Sequence, residues 1–191
     1  MKENSVTANL PAGGRIGRMA KILLKRTDRQ TAEKIMRGYK AYESAKNNKD
    51  KAAWIRLMMD RLEKTCDHEL CLEIMKACGS KCCGISTRKQ AKRLMDESES
   101  IQEFLEKMNK KGIGGGRLIL KGDHTITGGY DTCYCGQVKQ TEEPFPTKMY
   151  CQCSVGWYKQ IFSSAFEKEV EVEVIESIIT GAESCEFVIR I

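Results

Sequence analysis

Four cysteines in two Cys-x-Cys pairs are the residues of this sequence best suited to chemistry. Cys133 and Cys135 lie in "GGYDTCYCG" and Cys151 and Cys153 in "MYCQCSVGW", with fifteen residues between the pairs. Four thiolate sulfurs at about 2.3 Å from a central ion make a closed tetrahedral zinc site, and all-cysteine sets also hold iron–sulfur clusters, the alternative cofactor. On a strand, residues i and i+2 point to one face, so each pair is expected to present both thiols together if it lies on a strand. The spacing is tighter than in zinc ribbons, which usually place two or more residues between paired ligands. The competing expectation is of inert thiols packed as small hydrophobes.

Upstream, Cys66, Cys71, Cys78, Cys82 and Cys83 form a second group. Cys71 and Cys78 are spaced for one helical face, where packing is the simple reading. In "ACGSKCCG", Cys78, Cys82 and Cys83 surround a segment with turn residues, and Lys81 next to Cys82 favours its thiolate. These three, with His124 in "GDHTI", are the additional candidate ligands; His124 is also the candidate general base. His68 reads as a surface or capping residue at a helix start. The order of residues offers no Ser-His-Asp set and no dinucleotide fingerprint, and the glycines of "KGIGGG" precede no Gly-Lys-Ser/Thr, so they are a connector and not a phosphate loop.

The chain around these residues is of globular composition: 191 residues, 41% hydrophobic and 30% charged, enough to bury a core without disulfide staples. No segment approaches the roughly 20 apolar residues of a membrane span. The opening "MKENSVTANLPAGG" lacks an apolar stretch behind its lysine, so no secretory signal is expected and residues 1–14 read as a disordered leader. A cytoplasmic, reducing setting follows, in which clustered cysteines serve metal or redox chemistry. Residues 1–128 hold 27 Lys+Arg against 16 Asp+Glu, a balance of +11, while the remainder carries −5. The basic residues are interleaved with acids on helical faces, which argues for a solvated surface and against nucleic acid.

The elements that must position the thiols fall into two halves of one expected domain, 15–191: a helical half, 15–111, and a sheet-containing half, 117–191. Helical periodicity runs through "RIGRMAKILLKR", "TAEKIMRGYKAYESAK", "DKAAWIRLMMDRLEK", "DHELCLEIMKAC", "TRKQAKRLMDE" and "SIQEFLEKMNKK". Caps are expected at Thr27 or Asp28, at Thr65 or Asp67, and at Ser98 or Ser100. "RLILKGDHTITGGY" reads as two strands about a turn near Gly122, and "TCYCGQVK" and "TKMYCQC" read as strands joined by "QTEEPFP". "SVGWYKQIFSSAFEK" is a helix with Ser154 as its cap. "EVEVEVIE" and "CEFVIRI" alternate apolar and polar residues and pair as an antiparallel hairpin across a loop holding Gly181. The fold class is α+β: a helical half packed on an antiparallel sheet with an inserted helix and a C-terminal hairpin.

The stretch "VEVIESIITGAESCEFVIRI", preceded by "CQCSVGWYKQIF", resembles the end of 4-vinyl reductase-type small-molecule-binding domains and the tail of the L-2-amino-thiazoline-4-carboxylate hydrolase family. Gly181, Cys185 and Phe187 match their turn glycine and Cys-x-Phe strand. The resemblance implies a ligand pocket between sheet and helices, for which Trp157, Cys185 and Phe187 are the candidate lining residues. Where 4-vinyl reductase domains tend to carry a further acid and cysteine, this chain has Val174 and Ser177, so a metal would have to use the two earlier pairs. No catalytic residue carries over from the hydrolases.

Two functions are expected from these readings. The first is a cytoplasmic, cysteine-rich, zinc-binding domain that binds or senses a small molecule. The second is an enzyme, either a hydrolase like the thiazoline enzymes or a cysteine-based redox protein.

Overall fold

A computed structural model describes residues 10–191, and the chain is an α+β protein. It divides into two compact units: residues 1–74 with 137–142, and residues 75–136 with 143–191. The first nine residues of the expected leader lie outside the described residues; Leu10 and Pro11, within it, are buried. Among the described residues no helix is long and apolar enough to cross a membrane.

The first unit is helical. Helix α1 (Gly14–Arg26) buries Ile16, Met19, Ile22 and Leu23, and its last turn carries Lys25 and Arg26, which suit the negative end of the helix dipole. Helix α2 (Arg29–Met36) starts at Asp28, whose carboxylate accepts the Thr31 N–H at 2.9 Å. The periodicity over 31–46 predicts one helix, but the chain breaks into α2 and α3 (Tyr39–Ser44) because Gly38 takes a left-handed conformation (φ 77°, ψ 15°) that an L-residue adopts only at a cost. Helix α4 (Asn48–Thr65) buries Ala52, Trp54, Ile55, Met58, Met59 and Leu62, so Trp54 belongs to the core face and not to its flank. The short segment 137–142 joins this unit through a Gln137–Tyr42 hydrogen bond and a Lys49–Glu142 ion pair at 2.7 Å.

Helix α5 (His68–Cys82) opens on an Asp67 cap, which accepts from Leu70 N–H at 2.8 Å, and its second half belongs to the second unit. There α6 (Ile85–Asp96) and α7 (Ile101–Lys110) follow, the latter capped by Ser100. Asn109 pairs both ways with the Leu118 backbone at 2.8 Å, which fixes the approach to β1 (Ile119–Lys121). Between them, Gly115 (φ 91°) leaves room for the Gly129 carbonyl: a Cβ there would stand 2.0 Å from that oxygen. The glycine run is thus a close-packed connector. Strand β2 (Thr125–Tyr130), helix α8 (Gln152–Phe166), β3 (Glu171–Glu176) and β4 (Cys185–Arg190) complete the unit.

The four strands form one antiparallel sheet in the order β1-β2-β4-β3. The C-terminal hairpin forms as its alternation demands, with Val174 opposite Phe187 and a bulge between Val174 and Glu176. Strand β4 sends Cys185, Phe187 and Ile189 inward, and Tyr158 of α8 meets Phe187 with ring centroids 4.8 Å apart. Tyr130 stacks on Tyr158 at 6.1 Å and Phe162 continues the stack at the same spacing, so an aromatic column joins sheet to helix.

Two strand expectations fail at the cysteine pairs. Residues 131–135 run as an irregular loop into a turn at 136–140, and Met149–Cys151 is a single 3-10 turn running into α8. The loop carries Pro144 and Pro146, which cannot donate to a ladder, and both edges of β4 are already taken by β2 and β3. Cys153 therefore lies in the first turn of a helix that begins at Gln152, two residues before the expected Ser154 cap, and Ser154 does not cap it. The i, i+2 argument for a shared strand face does not apply to either pair.

Candidate thiol site

The second unit nevertheless gathers the cysteines, by helix packing. "ACGSKC" is helical through Cys82 and is not a turn, so Cys78 and Cys82 stand four residues apart on one face of α5. Gly79 between them lies against α8: a Cβ on Gly79 would fall 1.7 Å from the Cys153 carbonyl oxygen. The contact is reciprocal, since a Cβ on Gly156 would fall 1.9 Å from the Lys76 carbonyl, and Ser80 Oγ donates to the Gly156 carbonyl at 3.3 Å. Backbone against backbone is the closest approach two helices can make, and only glycine permits it here.

Cys153 is the centre of the group. Part of the residue stays accessible, yet the protein packed around its sulfur pushes the thiol well above its ordinary value, and Cys135, Cys151, Cys82 and Cys78 add to the shift because each would repel a thiolate there. Cys151 is pushed up to about 12, first by burial and then by Cys185, Cys133 and Cys135, against the opposing pull of Ser177. Five further cysteines, from α5, the 131–136 segment and β4, thus lie within electrostatic reach of one or both of these two.

Hydrogen bonds separate the cluster into two parts. Cys151 Sγ meets the buried Ser177 Oγ at 2.8 Å, and Cys185 Sγ accepts the Ile178 N–H at 3.4 Å, which binds both thiols to the turn between β3 and β4. Cys135 Sγ lies 3.1 Å from Tyr150 Oη and within reach of both Cys151 and Cys153. None of the ten cysteines forms a disulfide. Among the described residues no three His, Cys, Asp or Glu side chains are already drawn together as a metal shell.

The remaining candidates fall outside this centre. Cys83 is buried just past α5, its thiol raised by burial and eased by Arg88. His124 is exposed in the β1–β2 turn, at the opposite end of β2 from the Tyr130–Cys185 pair, a strand length of about 20 Å. Cys66 and Cys71 belong to the first unit, where Cys71 is 1% exposed and donates weakly to the Leu62 carbonyl. Of the expected pocket residues, Phe187 and Cys185 are buried, Phe187 within the aromatic column, and Trp157 packs edge-on against Tyr158 at 5.3 Å. The thiol partners Ser177 and Tyr150 and the paired glycines Gly79 and Gly156 were not visible as site residues in the sequence. Gly156, inside the apolar stripe of a helix, was the one available signal of a close crossing.

Fold and site together define an α+β protein with a thiol cluster where two helices cross beside a four-stranded antiparallel sheet. The chain belongs to a family of unknown function, DUF6144, whose model matches residues 18–191. No curated protein and no solved structure matches it.

Proposed function

We propose that the second unit is a metal-binding module that takes a soft cation, zinc in a reducing cytoplasm, on Cys78, Cys82, Cys135 and Cys153. The observation that carries this reading is the crowding of thiols around Cys153, where a cation would stabilise the thiolates that burial and the neighbouring cysteines disfavour. The donor set is all sulfur, which suits zinc and, as the alternative, an iron–sulfur cluster. The helical Cys78–Cys82 pair is preferred over Cys133 and Cys151 because the Gly79 contact holds that part of α5 against the Cys153 backbone. Binding has to draw the sulfurs inward, so it is coupled to movement of the 131–136 segment and contributes to folding free energy. The resemblance of the C-terminal stretch to 4-vinyl reductase-type domains supports a module that senses or binds a small molecule, while its likeness to the thiazoline hydrolases carries over no catalytic residue.

The test is metal analysis of anaerobically purified full-length protein, with thiols counted before and after chelation. About one zinc per chain and about four thiols released by chelator support the reading. Cys153→Ser should lose the metal and Cys151→Ser should keep it. A brown chromophore assigns the site to iron and sulfur. Metal-free protein that gains no thermal stability from added zinc, with Cys82 reacting rapidly, refutes a metal site and favours thiol redox chemistry.

A further inference from the structure

A groove of about 480 Å³ lies in the first unit at the α2–α3 junction, lined by Glu33, Lys34, Arg37, Gly38, Tyr39 and Lys40. It owes nothing to the thiol cluster. Three of its six lining residues are cationic, and Glu33, its carboxylate, faces Arg29 one helical turn back at 3.8 Å.

Beside the groove lies Trp54 of α4. Its side chain is 6% exposed, and its Nε1 is buried with no hydrogen-bond partner. Leaving such a donor unmade costs about 1–3 kcal/mol, so a buried orphan N–H calls for an explanation. Arg61 Nε donates to the Ile35 carbonyl at 2.8 Å and a terminal Arg61 nitrogen to the Arg37 carbonyl at 3.1 Å, closing the end of α2. The Arg61 guanidinium also lies 5.9 Å from the Trp54 ring centroid, and Tyr42 packs on the ring's other neighbourhood at 5.4 Å. What faces the indole nitrogen on the groove side is Gly38: a Cβ there would stand 3.7 Å from Nε1. The N–H itself is covered, so an acceptor reaches it only by entering the space that the absent side chain leaves at Gly38, a residue of the cation-lined groove.

We propose that this groove binds a small molecule through an oxyanion, a carboxylate or phosphate group, which accepts the Trp54 Nε1–H and lies against Arg37, Lys34 and Lys40. One acceptor then answers three features at once: the orphan donor, the local excess of positive charge and the side chain absent at Gly38. Burial and the neighbouring Arg37 both disfavour the Arg61 charge, and an anion in the groove offsets the second of these. Charge-assisted hydrogen bonds of this kind are about twice as strong as neutral ones.

The two tryptophans make the site measurable in the full-length protein. The indole N–H signals of Trp54 and Trp157 are followed by NMR, assigned with a Trp157→Phe variant, while inorganic phosphate or succinate is added against sodium chloride at matched ionic strength. The expected result is a saturable downfield shift of the Trp54 signal alone, with Arg37→Ala weakening the apparent affinity about tenfold or more. A response to phosphate only assigns a phosphorylated ligand, and one to succinate only a carboxylate. No shift beyond that given by chloride, or a shift that Arg37→Ala leaves unchanged, overturns the proposal.

Discussion

Replacing Gly79 by alanine sets two effects of opposite sign against each other. In an exposed helix interior the change stabilises by about 1 kcal/mol, because glycine is the poorer helix former. At this position the new Cβ would fall 1.7 Å from the Cys153 carbonyl oxygen, 2.6 Å from its carbon and 2.9 Å from its Cα, where real Cβ atoms keep at least 3.0 Å. Every one of those atoms is backbone, so no rotamer change relieves the contact. The crossing has to open by roughly 1.3 Å, and overpacking of this kind costs about 1–3 kcal/mol even where side chains can yield. Because only backbone could yield, the clash takes the upper end of that range, about 3 kcal/mol, and less the helix gain Gly79→Ala is expected to destabilise the protein by about 2 kcal/mol net. With a urea m-value of about 2 kcal/mol/M, the unfolding midpoint should fall by about 1 M in a transition followed by circular dichroism. Gly136→Ala is the control: nothing lies within 4 Å of its added Cβ and its φ is not left-handed, so its midpoint should stay or rise slightly. A Gly79→Ala midpoint at or above that of the parent protein would refute the close crossing, and with it the argument that brings Cys78 and Cys82 to Cys153.

Four further outcomes follow from the packing. Gly156→Ala meets the Lys76 carbonyl at 1.9 Å and should destabilise to a similar degree in the same urea assay. Tyr158→Phe removes the donor to the buried Gly114 carbonyl at 2.9 Å and should cost about 1–3 kcal/mol by thermal or chemical denaturation, since the oxygen is left unpaired. Ser100→Ala removes the α7 cap and should cost about 1 kcal/mol in the same measurement. The Cys71 thiol is pushed up to about 11 by burial first, with Cys66, Glu63 and Asp67 adding to it. The folded state holds that proton more tightly than the unfolded chain does, so the stability it contributes is complete below about pH 9 and is lost as the pH rises toward 11. Cys71→Ala should flatten that alkaline loss in denaturation curves taken across the range, and at pH 8 Cys71 should be alkylated far more slowly than the exposed Cys82.

The hairpin of β3 and β4 was legible because its alternation leaves one reading: Val174 and Phe187 go inward, and slipping either strand by one residue would bury glutamate. The helices were legible for the same reason, down to the caps at Asp28, Asp67 and Ser100. Gly38 was harder, since a single glycine in a helical pattern is often tolerated and only its left-handed φ makes it a break. The cysteine pairs misled because Cys-x-Cys has no preference of its own between strand and helix. "TKMYCQC" lacks β-branched residues beyond its threonine, and the apolar stripe of α8 extends backward over it. Likewise the Gly-Ser-Lys of α5 reads as a turn until its glycine is seen to be required by a neighbour that no local pattern reports.

The proposed metal site does not depend on strand geometry. On a strand, Cys133 and Cys135 would have been positioned by the pleat. In the structure they sit in an irregular loop, and the fixed members are instead Cys78, Cys82 and Cys153, held by two helix backbones in contact. A loop can move toward a bound ion where a strand within a sheet cannot, because moving a strand breaks its ladder. Rigid thiols on crossed helices and adaptable thiols on a loop are therefore suited to a site completed by its ligand. Cys151 and Cys185, tied to Ser177 and the Ile178 N–H, anchor the other side of the cluster to the sheet. Loss of the Ser177 hydroxyl should then loosen the Cys151 side of the cluster while leaving the metal in place, whereas loss of the glycine contact should release it. Comparing zinc content in Ser177→Ala and Gly79→Ala separates the two, and equal retention in both would show that the helix crossing does not govern the site.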